Sequence, residues 1–297
     1  MRILQGMREE IGLVNLGEVE LYLEDVGPED APVLAVLHGG PGGSSYALRE
    51  GLEDELEAFR VLYFDQRGSG RSPELPAEPR LFTLDALVED LEALREYLEV
   101  ESWTLLSHGF GALVALEYAR RWPGPVRNLI LINPWTNFPW LAAQLYRGAL
   151  ELQGLDPQGP EEALPHDPEA LLAEAFSALE PKAVFDHLMF PSAHSRMEYE
   201  WVAEGAGLLG LDTPGQMFVK NGLWRLDYTA YLVEQRAPLT VIVGEQDGTA
   251  YPEAQTVADL TGGGLEGIAG AGHYPWIDQP YAFAEALRLG LEASDQA

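Results

Sequence analysis

The sequence WTLLSHGFGALVALEYARR, which spans Trp103–Arg121, changes its hydrophobic period near its centre. Its first part is a short apolar run, which predicts a strand buried on both faces. After the residues S-H-G-F-G at positions 107–111, apolar side chains recur at helical spacing at Leu113, Leu116 and Ala119. The stretch therefore predicts a buried strand, a tight turn and a helix in direct succession.

The turn in this stretch is of the kind that presents a nucleophilic serine when it carries the pattern G-x-S-x-G. Aligned on the helix that follows, the chain has Ser107 at the first glycine position and Gly109 at the apex, so the attacking side chain is missing. A register shifted by two residues would restore Ser107 to the apex. It would also put Leu105 where a small residue is required and rotate the apolar face of the helix by roughly half a revolution. We therefore predict Gly109 at the apex, with Ser107 as the alternative.

The composition excludes several classes of protein. The absence of cysteine excludes disulfides, thiolate metal sites and a cysteine nucleophile. The net charge of −30, from 48 acidic and 18 basic residues, argues against nucleic acid and anionic membranes as partners. The chain starts without the apolar core of a signal peptide, and no later run approaches the length of a membrane span. We expect a soluble, cytoplasmic protein whose oligomeric state the sequence leaves open.

Buried apolar runs separated by segments of helix length predict a mostly parallel, twisted sheet flanked by helices. These runs begin at Ala31, Val61, Thr104, Asn128 and Leu239. Two alternating segments, Glu9–Leu13 and Glu18–Leu23, predict antiparallel strands at one edge. Residues 135–214 contain helical segments broken by prolines and no strand pattern. We therefore predict an α/β core formed by residues 1–134 and 215–297, with an inserted helical cap at 135–214.

A loop with four glycines follows the first buried parallel strand, with the sequence H-G-G-P-G-G at positions 38–43. Such a loop lets the backbone approach a ligand closely and offer its N–H groups. A phosphate loop would need a terminal Lys-Ser/Thr or the spacing G-x-G-x-x-G, and neither is present. An oxyanion hole needs two N–H donors aimed at one oxygen. The sequence predicts that Gly40 and Phe110 supply them.

His273 lies in a glycine-rich turn near the C-terminus, and Asp247 follows the preceding predicted strand. The order of turn, acid and histidine is that of a hydrolytic triad, in which the acid orients the imidazole and the imidazole acts as a general base. A purely structural pair is the alternative. No H-x-x-x-H or H-E-x-x-H pairing indicates a metal site, and we predict no metal and no cofactor.

Four motifs together resemble a known family. They are H-G-G-P-G-G at 38–43, D-Q-R-G-S-G-R-S at 65–72, the helix from Leu113 to Tyr118, and G-A-G-H-Y-P-W at 270–276. They resemble the proline iminopeptidases, which have the α/β-hydrolase fold and remove N-terminal proline. The resemblance covers most of the chain outside the predicted cap. It implies a serine at position 109, where this chain has glycine, and it implies the roles already given to Asp247, His273, Gly40 and Phe110.

The resemblance also implies glutamates in the cap that hold the free amine of the substrate. One of them precedes an Asn-His-Tyr-Phe stretch in the family, and the nearest match here is K-N-G-L at 220–223, with Lys220 in place of the glutamate. Glu198, Glu200 and Glu204 are the tentative substitutes. The expected partner is a small molecule or a short peptide.

Three functions remain open from the sequence. The first is a hydrolase relative with an incomplete triad and weak or no acyl-transfer activity. The second is a protein that binds a small ligand on a hydrolase scaffold. The third is an enzyme that uses only the His273–Asp247 pair as a base. Gly109 could also be an introduced replacement, which the native gene sequence would show.

Overall fold

The computed structural model describes residues 6–156, 167–205 and 212–292. These residues form one eight-stranded sheet in the order β1-β2-β4-β3-β5-β6-β7-β8. Pairing is antiparallel between β1 and β2 and between β2 and β4, and parallel across the rest of the sheet. The strands are β1 (Met7–Asn15), β2 (Glu20–Pro28), β3 (Val33–Leu37), β4 (Arg60–Asp65), β5 (Trp103–His108), β6 (Val126–Ile132), β7 (Leu239–Gly244) and β8 (Gly264–Ile268). The predicted mostly parallel sheet with an antiparallel edge is confirmed.

Helices cover both faces of the sheet, as the order of buried runs predicted. The α-helices of the described residues are α1 (Tyr46–Leu52), α2 (Leu84–Tyr97), α3 (Gly111–Arg121), α4 (Phe138–Leu152), α5 (Pro168–Ala175), α6 (Pro181–Met189), α7 (Ala193–Gly205), α8 (Asp212–Lys220), α9 (Thr229–Leu232), α10 (Tyr251–Thr261), α11 (Pro275–Asp278) and α12 (Pro280–Glu292). Apolar side chains of α2, α3 and α10 form a core on one face, and those of α1 and α12 form a core on the other. None of the described helices combines the length and the apolar composition that crossing a membrane requires.

The strand β5 lies in the interior of the sheet, between β3 and β6, and all six of its residues are buried. A strand covered on both faces needs a continuous apolar sequence, which explains why it reads W-T-L-L rather than alternating. Because neighbouring strands run in the same direction, β3, β5, β6 and β7 bring their carboxyl ends to one edge of the sheet. This is the edge at which open α/β sheets bind ligands.

Helices α4 to α9 occupy the chain between β6 and β7, and the described residues there contain no strand, only an isolated bridge between Asn137 and Asp227. The predicted boundary at residue 214 falls inside α8. We propose that residues 135–214 act as a cap over the core of residues 1–134 and 215–297.

The packing of α3 against β3 depends on the small size of Gly111. A Cβ atom at Gly111 would lie 2.6 Å from the carbonyl oxygen of Leu37 and 2.7 Å from that of His38. We expect Gly111→Ala to lower the free energy of unfolding by about 1–3 kcal/mol, since backbone atoms cannot move aside cheaply. Chemical denaturation measures the effect. In the matched control Gly124→Ala, no atom lies within 4 Å of the new methyl group, and equal losses in the two variants would contradict the explanation.

Candidate active site

Gly109 is the apex of the turn between β5 and α3. Its φ of +53° lies in the left-handed region that favours glycine. Its N–H donates to the carbonyl of Ile132, and its carbonyl accepts from the N–H of Trp135. A Cβ atom at Gly109 would lie 3.4 Å from Nε2 of His273 and 3.6 Å from Cε1. Any side chain at this position would therefore point at the imidazole of His273.

Ser107 lies inside β5 and not at the apex. It is fully buried, and its Oγ donates to the carbonyl oxygen of Ile130 in the adjacent strand at 3.3 Å. Ser107 is also not among the residues that line the cavity above His273, which is described below. This geometry does not agree with the alternative register, in which Ser107 would be the nucleophile.

Ser107→Ala should consequently leave ligand binding and any esterase activity unchanged within about twofold. The loss of its long hydrogen bond to Ile130 should cost about 1 kcal/mol of stability. Initial rates on aryl esters and a denaturation curve provide the two measurements. A large loss of activity would instead make Ser107 the nucleophile.

Asp247 and His273 form a buried pair at the carboxyl edge of the sheet. Nδ1 of His273 lies 2.6 Å from Oδ2 of Asp247, and the two residues, Asp247 and His273, are 0% and 2% exposed. The other carboxylate oxygen accepts the backbone N–H of Thr249 at 2.8 Å and its hydroxyl at 2.5 Å. Because both Thr249 donors fix Oδ1, Oδ2 is held toward the imidazole. This arrangement requires the proton of a neutral His273 to be on Nδ1, so that Nε2 is a proton acceptor above Gly109.

The two loops that carry this pair are held by groups from distant parts of the chain. The amide of Asn133, which follows β6, donates to the carbonyl of Gly272 and accepts from the N–H of Gly244, both at 2.9 Å. The last carbonyls of α6, at Leu188 and Met189, accept the N–H groups of Gly248 and His273, each at 2.8 Å. The position of the acid and the histidine is therefore tied to α6 as well as to the sheet.

Aromatic rings enclose the imidazole of His273. Trp135 stacks on it at a centroid distance of 5.1 Å, Tyr274 lies perpendicular at 5.2 Å, and His108 lies at 4.4 Å. Nε2 of His108 donates to the carbonyl oxygen of His273 at 2.9 Å. Burial, followed by the proximity of His273, holds the pKa of His108 well below its usual value. We infer that His108 packs against His273 in its uncharged form and adds no charge beside the imidazole of His273.

The glycine-rich loop lies against the apex: Cα of Gly39 would be 3.8 Å from a Cβ on Gly109. His38 holds this loop to β4, since its Nε2 accepts the N–H of Gln66 at 2.9 Å, and its carbonyl accepts from Nε2 of Gln66 at 2.8 Å. Gly40 has a φ of +138°, and a Cβ there would lie 2.6 Å from the backbone nitrogen of Gly42. The conformation of the loop therefore depends on glycine at position 40.

A buried ion pair stabilises the adjoining turn. One oxygen of Asp65 accepts from the backbone N–H and Nε of Arg71 at 2.8 Å, and the other accepts from the N–H and hydroxyl of Ser45. Burial alone would raise the pKa of Asp65, but the hydrogen bonds and charge of Arg71 hold it below its usual value. The pair connects the turn after β4 to Ser45 at the start of α1, two residues beyond the glycine-rich loop.

A cavity of about 900 Å³ opens above these groups, and most of its lining is apolar or aromatic. Asp212 and Lys220 are the charged side chains among its described lining residues, apart from the histidines. Of the glutamates that the sequence analysis named for amine binding, Glu200 pairs with Lys182 at 2.8 Å, and Glu198 is exposed near His194. Neither is among the described residues that line the cavity, and their amine-binding role stays a prediction. The side chain of Glu204 lies outside the described residues.

The described part of the chain has no group of three or more His, Cys, Asp or Glu residues arranged to hold a metal ion. Two residues of the site, His108 and Thr249, were not predicted, although the sequence carried a signal for each of them. His108 directly precedes the predicted apex, and Thr249 is two residues beyond Asp247, the spacing at which an aspartate accepts from the backbone and from a nearby hydroxyl.

A family model described as alpha/beta hydrolase fold matches residues 32–280. Because this match covers most of the chain, the protein belongs to the α/β-hydrolase fold family.

Within that family it is similar to proline iminopeptidases and their relatives. The crystal structure of a proline iminopeptidase-related protein from Thermus thermophilus is 59% identical, with 97% of this chain and 98% of that chain covered and a TM-score of 0.90. The proline iminopeptidase of Lactobacillus crispatus (strain ST1) is 26% identical over 309 residues, which cover 99% of this chain and 100% of that protein. The structure of the proline iminopeptidase from Mycobacterium smegmatis is 20% identical, covers 97% of this chain and 99% of that chain, and has a TM-score of 0.72, which shows a shared fold.

Proposed function

We propose that this protein is a proline iminopeptidase-related hydrolase with an incomplete Ser-Asp-His triad, and that Gly109 occupies the position of the nucleophile. The observation that carries the proposal is the 3.4 Å between Nε2 of His273 and a Cβ placed on Gly109. A serine there would hold its hydroxyl within reach of the base, as nucleophilic catalysis requires. With glycine there is no hydroxyl, and no acyl-enzyme can form.

The other groups of the site would have the roles that the resemblance to proline iminopeptidases implies. Nε2 of His273 would act as the general base, and Asp247 would orient the imidazole and stabilise its charged form. The N–H groups of Gly40 and Phe110 would bind the oxyanion. Removing a triad serine typically costs on the order of 10⁶ in turnover and leaves roughly 10³ to 10⁴ over water. We therefore expect weak or no acyl transfer by the protein as given.

A second candidate is an enzyme that uses His273 and Asp247 without a nucleophile. It is favoured by the 2.6 Å hydrogen bond between the two side chains, together with the space that glycine leaves beneath Nε2. A water molecule or an acidic C–H group of a ligand in that space would deliver its proton to the imidazole. If neither chemistry occurs, the same cavity describes a protein that binds a small ligand.

The test compares the protein as given with Gly109→Ser on aryl esters and on proline arylamides. A gain on esters supports the incomplete triad. Activity of the protein as given that Asp247→Asn abolishes supports the second candidate. The cytoplasmic location, the absence of nucleic-acid and membrane partners, and a small-molecule or short-peptide substrate stay predictions.

A further inference from the structure

The cavity above His273 is suited to a hydrocarbon body. Its lining includes the apolar residues Trp135, Phe176, Phe185, Val219, Trp224 and Trp276. A volume of about 900 Å³ lies within the range of small-molecule sites, which bury most of the surface of their ligand. Ligands in such sites are oriented by a small number of polar groups. The charged groups of the cavity therefore decide which ligands fit.

The charged residue that best indicates the charge of the ligand is Lys220. The chain has 48 acidic and only 18 basic residues, so unpaired acids are expected, whereas a basic residue should easily find an acidic partner. The other described lysine, Lys182, pairs with Asp186 and Glu200. Each described arginine likewise makes an ion pair, a hydrogen bond or another contact. Among the lysines and arginines that the structure describes, Lys220 alone has no such partner.

Asp212, the acid of the same cavity, carries less information because acids are in excess. Asp212 is the first residue of α8 and Lys220 is the last. Their Cα atoms are therefore about 12 Å apart along the helix axis. Both residues are exposed. An ammonium group would find one carboxylate among excess acids, and a carboxylate would find a lysine with all its donors free.

We propose that the cavity binds an apolar or aromatic monocarboxylate, with its hydrocarbon body among the aromatic residues and its carboxylate on Nζ of Lys220. The proposal names the ligand class of the site whose chemistry is proposed above, and it rests on that site only in placing the far end of the ligand near His273. A single lysine supplies one positive charge without the fork of an arginine, which suits a monoanion better than a phosphate ester.

The experiment is calorimetric titration of the full chain, as given, with three probes of one shape: 4-phenylbutanoate, 4-phenylbutanol and 4-phenylbutylamine. We expect the carboxylate to bind about fivefold more tightly than the alcohol, the upper end of what an ion pair with an exposed lysine contributes, and the amine to bind most weakly. Lys220→Met should remove the preference for the carboxylate and leave binding of the alcohol unchanged.

The chain offers a matched control in its second lysine. Lys182→Met removes the same charge outside the main cavity and should change the affinity for the carboxylate by less than about twofold, since exposed charges at a distance are screened. Equal affinities for the carboxylate and the alcohol, equal effects of the two lysine variants, or a preference for the amine that Asp212→Asn removes would each overturn the proposal. None of these titrations involves turnover. A gain of esterase activity in Gly109→Ser without carboxylate binding would therefore refute the ligand class alone, and the reverse result would refute the proposed triad alone.

Discussion

Gly109→Ser should raise the cleavage of aryl esters by at least about a hundredfold, the lower end of what general-base activation contributes. The substitution adds a hydroxyl at the one position from which Nε2 of His273 is within reach, because a Cβ there lies 3.4 Å from that nitrogen. The pair of His273 and Asp247 is already hydrogen-bonded, so no other group needs to move. Initial rates on 4-nitrophenyl esters, expressed as kcat/KM, measure the gain.

Gly109→Ala is the matched control for this prediction. It introduces the same Cβ and the same cost of about 1–2 kcal/mol for a side chain at positive φ, but no hydroxyl. We expect no gain from it, and little gain for Gly109→Ser on proline arylamides, since Lys220 stands where the resemblance implies an amine-binding glutamate. Equal rates for the serine and alanine variants, both folded, would show that position 109 is not the place of a nucleophile.

The fold could be predicted from the sequence because buried parallel strands leave long apolar runs. The runs beginning at Val61, Thr104 and Leu239 could be identified from local sequence alone, and each forms a strand in the structure. The antiparallel edge was predicted too short: β1 and β2 extend to Asn15 and Pro28, because the two strands pair along their backbones beyond the residues whose side chains alternate.

The site was predictable where one local turn fixes a residue and not where remote segments meet. The position of Gly109 at the apex of the turn could be predicted from the change of hydrophobic period between β5 and α3. The stacking of Trp135 on His273 and the hydrogen bond from the backbone of His273 to Met189 join segments far apart in sequence, and no local pattern records them. The direction of the Glu198 and Glu200 side chains could not be predicted for a related reason, because a helix rich in polar residues on all sides does not show which face meets the cavity.

Asp247→Asn should remove the activity gained in Gly109→Ser, returning ester cleavage to the level of the protein as given. In the structure both donors of Thr249, its N–H and its hydroxyl, bind Oδ1 of Asp247. An asparagine would keep its carbonyl oxygen on these donors and so present its NH₂ group to Nδ1 of His273. The imidazole must then accept at Nδ1 and carry its proton on Nε2, where it can no longer remove the proton of a serine. In a complete triad, a wrong tautomer of this kind lowers kcat by about 10⁴. This loss exceeds the hundredfold gain expected for Gly109→Ser.

The measurement is kcat of the double variant against Gly109→Ser, with the imidazole ¹⁵N signals of His273 reporting which nitrogen carries the proton. Asp259→Asn is the matched control, because Asp259 is exposed on α10, where it accepts from Gln255, and the same change there should leave the rate unaltered. Residues that act as one unit are not additive. Asp247→Asn in the presence of Gly109 should therefore change ester cleavage by less than about threefold, unless the His273–Asp247 pair already acts as a base without a nucleophile. If the double variant keeps the activity of Gly109→Ser while His273 carries its proton on Nε2, the serine is activated by a group other than His273.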